Sequence, residues 1–172
     1  IVTNCASSLM IEDLAQQHGV AFERSAVGEA NVVDVMLSRQ ACFGGEGNGG
    51  PIDPRVGYVR DSFVGMALVL DAMARAGTSV RTLADRLPRY CIHKTQVSVA
   101  GKNLETLFDA LENQLDAKST SRLDGLRLDW PGQWLLMRAS NTEPLVRLIA
   151  EAGDAATAEM LCRQAAEIVR SA

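Results

Sequence analysis

Apolar residues along the chain follow two different rhythms. Val2 to Cys5 is a short β-like run, after which Leu9, Met10, Leu14 and Ala15 recur at helical spacing as far as His18. Gly19 is a natural helix stop, and Val20 to Arg24 reads as a second strand. A helix is predicted near Asn31 to Arg39, then a short buried strand over Ala41-Cys42-Phe43, then a glycine-rich loop from Gly44 to Gly50. Pro51-Ile52-Asp53-Pro54 looks like a turn, and the polar stretch ends at Asp61. A long apolar helix follows from Ser62 to Ala76, with Gly77 to end it, and a shorter one from Val80 to Arg86. Strands alternating with helices predict an α/β/α layered domain with a mostly parallel sheet over residues 1–87.

From Pro88 onward the pattern changes. Tyr90 to Val99 alternates like a strand, and Leu104 to Leu115 is an amphipathic helix. Three strand-like segments then crowd together: Leu123 to Asp129, Gln133 to Arg138 and Leu145 to Glu151. Ala155 to Val169 closes the chain as a helix. Grouped strands flanked by helices predict a smaller α+β domain with an antiparallel sheet over residues 88–172.

Composition narrows the function. With 17 basic against 21 acidic residues the net charge is -4 over 172 residues. Such a balance gives no broad basic field for nucleic acid or an anionic membrane. No apolar run reaches the roughly 18 residues of a membrane span, and no secretory leader is visible. The opening Ile1-Val2-Thr3 reads as a strand already under way, so upstream sequence is expected. Cys5, Cys42, Cys91 and Cys162 lack the spacing of a metal knuckle or redox pair. They read as reduced thiols of a cytoplasmic protein. His18 and His93 have no neighbours at ligand spacing, so no metal site is expected in this chain.

Two loops carry chemistry. In the first, Gly44-Gly45-Glu46-Gly47-Asn48-Gly49-Gly50, glycine lets the backbone approach a ligand closely. Glu46 can accept from two vicinal hydroxyls and Asn48 can donate and accept, with Gly47 and Gly49 between and beside them. The same loop also reads as a demanding tight turn. Its formal G-x-G-x-x-G match fails as a dinucleotide site, because Pro51 follows instead of a helix. The second loop is Arg138-Ala139-Ser140-Asn141-Thr142-Glu143-Pro144, with Arg147 close behind. Arg138 and Arg147 offer guanidinium forks, Ser140 and Thr142 hydroxyls, and Asn141 an amide, a donor set suited to phosphate. The competing reading is a polar hairpin whose arginines pair with Glu143 or Glu151.

Taken together the loops resemble the α-D-phosphohexomutase superfamily of phosphomannomutases, phosphoglucomutases and phosphoglucosamine mutases. The first resembles the G-E-x-S-G-H sugar loop of that family's third domain. Arg138 to Pro144 with Arg147 resembles the R-x-S-x-T-E-P phosphate loop of the fourth. Val27-Gly28-Glu29, Arg60-Asp61 and Asp124-Gly125 with Arg127 resemble further family segments. Asn48 stands where the family has serine and Gly50 where it has histidine. This leans toward the phosphoglucosamine and phosphomannomutase types.

The resemblance implies a reaction that interconverts hexose 1-phosphate and hexose 6-phosphate through a hexose 1,6-bisphosphate. Glu46, Gly47, Asn48 and Gly49 are then expected to bind sugar. Arg138, Ser140, Asn141, Thr142 and Arg147 are expected to bind the non-reacting phosphate. The family's phosphoserine loop, T-A-S-H-N-P, and its Mg²⁺ loop, D-x-D-x-D, do not occur in this chain. No catalytic residue and no metal ligand is therefore expected here, and both are expected in N-terminal domains of the same protein. A non-catalytic sugar-phosphate-binding module is the alternative.

Overall fold

The first strand, β1 (Val2–Asn4), is buried along its length and forms the centre of a four-stranded sheet. After it come α1 (Leu9–Gln17), β2 (Glu23–Ser25), α2 (Glu29–Arg39), β3 (Gly44–Gly45), β4 (Pro51–Ile52), α3 (Ser62–Ala76) and α4 (Val80–Ala84). The structure is a computed structural model and describes residues 1–99, 101–140 and 143–172. Its chain divides into two units, Ile1–Arg89 and Tyr90–Ala172.

In the first unit the strand order is β2-β1-β3-β4. β1 pairs in parallel with both β2 and β3, and β4 joins β3 antiparallel. This is the mostly parallel α/β sheet that the alternating rhythm predicts. The third strand does not fall on Ala41-Cys42-Phe43. Gln40 caps α2 in the left-handed conformation (φ 51), and the Ala41 amide still bonds back to Met36. The chain therefore reaches the sheet only at Gly44 and Gly45, inside the predicted loop. Glycine is needed there, because a Cβ on Gly44 would run into the Met36 side chain that α2 lays across the strand. Pro51 and Ile52 form a strand rather than a turn, and proline is tolerated because β4 is an edge strand. Val2, Val32, Met36 and Ile52 make the small core.

α3 is unusual in that it buries no residue, although it is apolar on nearly every side. Phe63 is 82% exposed, and Met66 and Leu70 lie exposed on the same helical row. Asp61 caps its first turn by accepting from the Phe63 and Val64 amides.

The second unit holds β5 (Cys91–Ser98), α5 (Leu104–Gln114), β6 (Ser119–Ser121), β7 (Leu126–Trp130), β8 (Gln133–Ala139), β9 (Leu145–Ala152) and α6 (Ala155–Ser171). Its sheet has the order β5-β9-β8-β7-β6, antiparallel throughout. Leu135, Met137, Leu148 and Ala150 face α5 and α6, which contribute Leu107, Phe108, Leu111, Leu161, Ala165 and Val169 to one core. Burying each such leucine stabilises by about 1.5–3 kcal/mol. β6 is all serine and threonine, so no hydrophobic rhythm announces it, and its register comes from backbone pairing with β7. β7 begins three residues later than predicted, because Gly125 turns the chain with φ 77. A Cβ at Gly125 would collide with the Met137 carbonyl, so the turn lies against β8 and only glycine fits.

Candidate functional site

The first unit reverses its strand order between β1 and β3: β2 lies to one side of β1 and β3 to the other. In open α/β sheets the crevice outside the carboxyl ends of strands at such a switch point is where ligands bind. Asn4 is the last residue of β1, and Glu46 is the first after β3. Their side chains meet there, Asn4 Nδ2 donating to Glu46 Oε1 at 2.6 Å. The Gly28 amide, which follows β2 and precedes α2, donates to the same oxygen at 2.8 Å. One carboxylate oxygen is thus fixed by groups from the ends of two other strands. The second, Oε2, has Asn48 Nδ2 at 3.4 Å. Glu46 is half-buried, while Gly47, Asn48 and Gly49 are exposed.

Behind Glu46 lies a polar support that the sequence did not reveal. Asn4 Oδ1 accepts from the Ala6 amide at 2.9 Å and from Ser7 Oγ at 3.0 Å, and both Asn4 and Ser7 are buried. Arg24 donates to the Asn4 and Ser7 carbonyls and to Glu12, and lies over the Phe22 ring. Glu29, at the start of α2, accepts from the Arg60 amide and from Arg60 Nε, each at 2.8 Å. The Arg60 amide, and then its guanidinium, hold the Glu29 carboxyl below the usual carboxylate range. The Val27-Gly28-Glu29 and Arg60-Asp61 segments, far apart in sequence, are therefore one structural joint next to the loop.

In the second unit Arg138 and Arg147 are direct cross-strand partners on β8 and β9. Residues opposite each other share a face of the sheet, so two cations stand side by side, and on their other flank Gln96 of β5 is paired with Arg147. Like charges in this relation destabilise a sheet. Arg138 is paired with neither Glu143 nor Glu151. Its Nε donates to both oxygens of Asp124, at 2.9 and 2.8 Å. Arg147 is exposed and has no carboxylate partner among the described residues. Ser140 closes the β8 end of the turn, its amide donating to the Leu145 carbonyl at 2.9 Å. Asn141 and Thr142 lie outside the described residues.

Asn4, Ser7 and Asp124 are the participants that sequence reasoning did not select. Asp124 stood in a noted Asp-Gly pair, which was the available signal. Nothing in the pattern distinguishes Asn4 from any polar residue at the end of a strand. Among the described residues no three His, Cys, Asp or Glu side chains cluster so as to hold a metal ion, and no helix is long and apolar enough to cross a membrane.

Residues 1–90 match the family described as phosphoglucomutase/phosphomannomutase, alpha/beta/alpha domain III, and residues 95–168 match phosphoglucomutase/phosphomannomutase, C-terminal domain. A phosphoglucosamine/phosphogalactosamine mutase from Sulfurisphaera tokodaii is 33% identical over 98% of this chain and 38% of its own length. A phosphoglucomutase/phosphomannomutase from Thermococcus kodakarensis is 31% identical over 88% of this chain and 34% of its own. The chain thus spans well under half the length of these curated relatives. Among solved structures, a phosphoglucomutase/phosphomannomutase family protein from Burkholderia thailandensis superposes with a TM-score of 0.80 at 22% identity, covering 98% of this chain and 37% of that one. N-acetylphosphoglucosamine mutase from Aspergillus fumigatus, solved with GlcNAc-6P and magnesium, gives 0.65 at 16% identity, covering 99% and 38%. At these identities the two structures speak for the fold. With one unit on each family match, this chain belongs to the phosphoglucomutase/phosphomannomutase family and carries its alpha/beta/alpha domain III and its C-terminal domain.

Proposed function

We propose that the chain is the substrate-gripping part of a phosphohexomutase, an enzyme that interconverts hexose 1-phosphate and hexose 6-phosphate. Such a reaction passes through a hexose 1,6-bisphosphate, so either end of the sugar must be held while the other reacts. The observation that carries this reading is the direct opposition of Arg138 and Arg147 on one sheet face. The pairing works against folding and is accounted for by an anion that bridges the two forks. Ser140, beside the end of β8, is assigned to the same phosphate, and the donor side chains of Asn141 and Thr142, next in sequence, are assigned to it from their chemistry alone. In the first unit, Glu46 Oε2 accepts from sugar hydroxyls while Oε1 is fixed, with Asn48 beside it and Gly47 and Gly49 letting the ring approach.

This assigns positioning to residues 1–87 and 88–172, a sugar-binding and a phosphate-binding domain, and leaves bond making to other parts of the protein. Magnesium accompanies the Aspergillus relative. Among the described residues no three His, Cys, Asp or Glu side chains gather as a metal site, and this reading assigns Mg²⁺ to another part of the protein.

Titration of the chain with glucose, mannose and glucosamine 6-phosphates tests the reading. Arg138→Ala and Arg147→Ala are each expected to weaken binding by about 10- to 100-fold, the range of one charge-assisted fork. Glu46→Gln is expected to weaken sugar phosphates but leave inorganic phosphate unaffected. Unchanged affinity in both arginine variants removes the proposal.

A further inference from the structure

The anion cradle has a component that is itself an anion. Asp124 lies in the turn between β6 and β7, and its two oxygens accept from Arg138 Nε at 2.9 and 2.8 Å. Both side chains are mostly buried, 17% exposed for Asp124 and 24% for Arg138. The turn cannot retreat from β8, because Gly125 already sits against the Met137 carbonyl and the Arg138 backbone with φ 77. A one-methylene carboxylate on this fixed backbone reaches the Nε side of the guanidinium. That leaves the terminal nitrogens of Arg138, which among the described residues meet no acceptor.

Resting on the phosphate reading above, we propose that Asp124 is a positioning residue of the anion site. It clamps Arg138 by Nε so that its terminal N–H pair lies beside Arg147 before phosphate arrives. A free arginine side chain has many rotamers, and fixing it in advance removes an ordering cost from binding. The clamp also lowers the charge of the arginine pair from +2 to +1, which eases their repulsion across the β8–β9 pair.

Positioning and simple electrostatics predict opposite signs. Removing a carboxylate near a phosphate site strengthens anion binding if charge alone matters. If the clamp matters, binding weakens. The test is titration of the ¹⁵N-labelled chain with inorganic phosphate, following affinity and the Arg138 Nε–H resonance by NMR. In Asp124→Asn, phosphate affinity is expected to fall about tenfold through lost pre-orientation. The Nε–H signal is expected to lose its protection from exchange, which shows that the anchor is broken, and the fall in phosphate affinity while the melting curve stays two-state is the readout that a merely structural role would not move. Asp124→Glu keeps the charge and shifts the anchor by one methylene, and it too is expected to weaken binding severalfold. This second variant keeps the idea testable should the first unfold. Phosphate binding in Asp124→Asn that equals or exceeds the native value overturns the clamp. If Arg147→Ala still loses binding in that case, the phosphate reading survives without it. A native chain that binds no phosphate removes both.

Discussion

Adding one methyl group at Gly125 brings two separable penalties. The residue sits at φ 77, and its new Cβ would meet the Met137 carbonyl. Gly132 has nearly the same backbone, φ 74, but open space around it. Gly132→Ala should therefore cost only the left-handed backbone term, about 1–2 kcal/mol. Gly125→Ala should cost at least about 1 kcal/mol more, since the turn must be forced off β8. Urea unfolding followed by tryptophan emission measures both, and equal losses would show that the contact is absorbed without strain. At this scale the sequence was informative where a residue type announces its own chemistry. Arg138 and Arg147 stood out as guanidinium forks at a loop rich in donors, with a polar hairpin as the competing reading, and Glu46 as the one carboxylate among glycines. Asn4 did not stand out, and Asp124 did so only as part of an Asp-Gly pair with no role attached, because their roles come from where a strand ends and how closely a turn packs. Those are properties of the backbone path, and no local pattern encodes them.

Elements with a strong apolar rhythm were legible almost to the residue. α6 places Ala158, Leu161, Cys162, Ala165, Ala166 and Val169 on one buried face at helical spacing, and the predicted helix coincides with it. Of the strands of two or three residues, the apolar start of β1 was legible, whereas β3 and β6 were not. β3 is two glycines and β6 is serine and threonine, so their pairing rests on backbone groups that any sequence supplies. What the pattern could not show for α6 is how both ends are satisfied. Asp154 accepts from the Thr157 amide at 2.9 Å and from its hydroxyl at 2.7 Å. At the other end Lys102 Nζ donates to the Val169 and Arg170 carbonyls, each at 2.8 Å. An anion at the N-terminus and a cation at the C-terminus both oppose the helix dipole. Lys102→Met should cost about 0.3–1 kcal/mol. The cap is pH-dependent in a defined direction. The backbone amide of Thr157, then its side chain, hold the Asp154 carboxyl below its ordinary value of 3.8. Its contribution is therefore complete above that ordinary value and is lost as pH falls through the lower folded value. Melting temperatures of the native chain and Asp154→Ala should differ at pH 6 and converge toward pH 2. A gap that stays constant would mean that the carboxylate charge plays no part in the cap.

The two units differ in what holds them together, and each can be considered by itself. Among the described residues, the second holds a cluster of seventeen buried hydrophobic residues between one sheet and two helices, and the first a cluster of four around its short strands. The first also leaves the apolar row of Phe63, Met66 and Leu70 in water, surface that contributes nothing to its stability. Sequence rhythm marked α3 as a helix but could not show this exposure, since a helix apolar on all sides usually reads as buried. A stability of about 0.05–0.15 kcal/mol per residue is typical of a folded domain. Residues 90–172 should reach that range, on the order of 5 kcal/mol, and residues 1–89 should fall short of it. Both tryptophans, Trp130 and Trp134, belong to the second unit, and Trp134 is buried with its indole N–H donating to Glu151 Oε1. Tryptophan emission therefore reports on that unit alone, while far-ultraviolet circular dichroism reports on helices of both. In a urea titration of the intact chain, the dichroism signal should begin to fall before the emission changes, and the emission should then shift in a single steep step. The fragment 90–172 should reproduce that step at nearly the same urea concentration. Coincident transitions in the intact chain would show instead that the two cores unfold as one, and that the smaller core draws its stability from the larger.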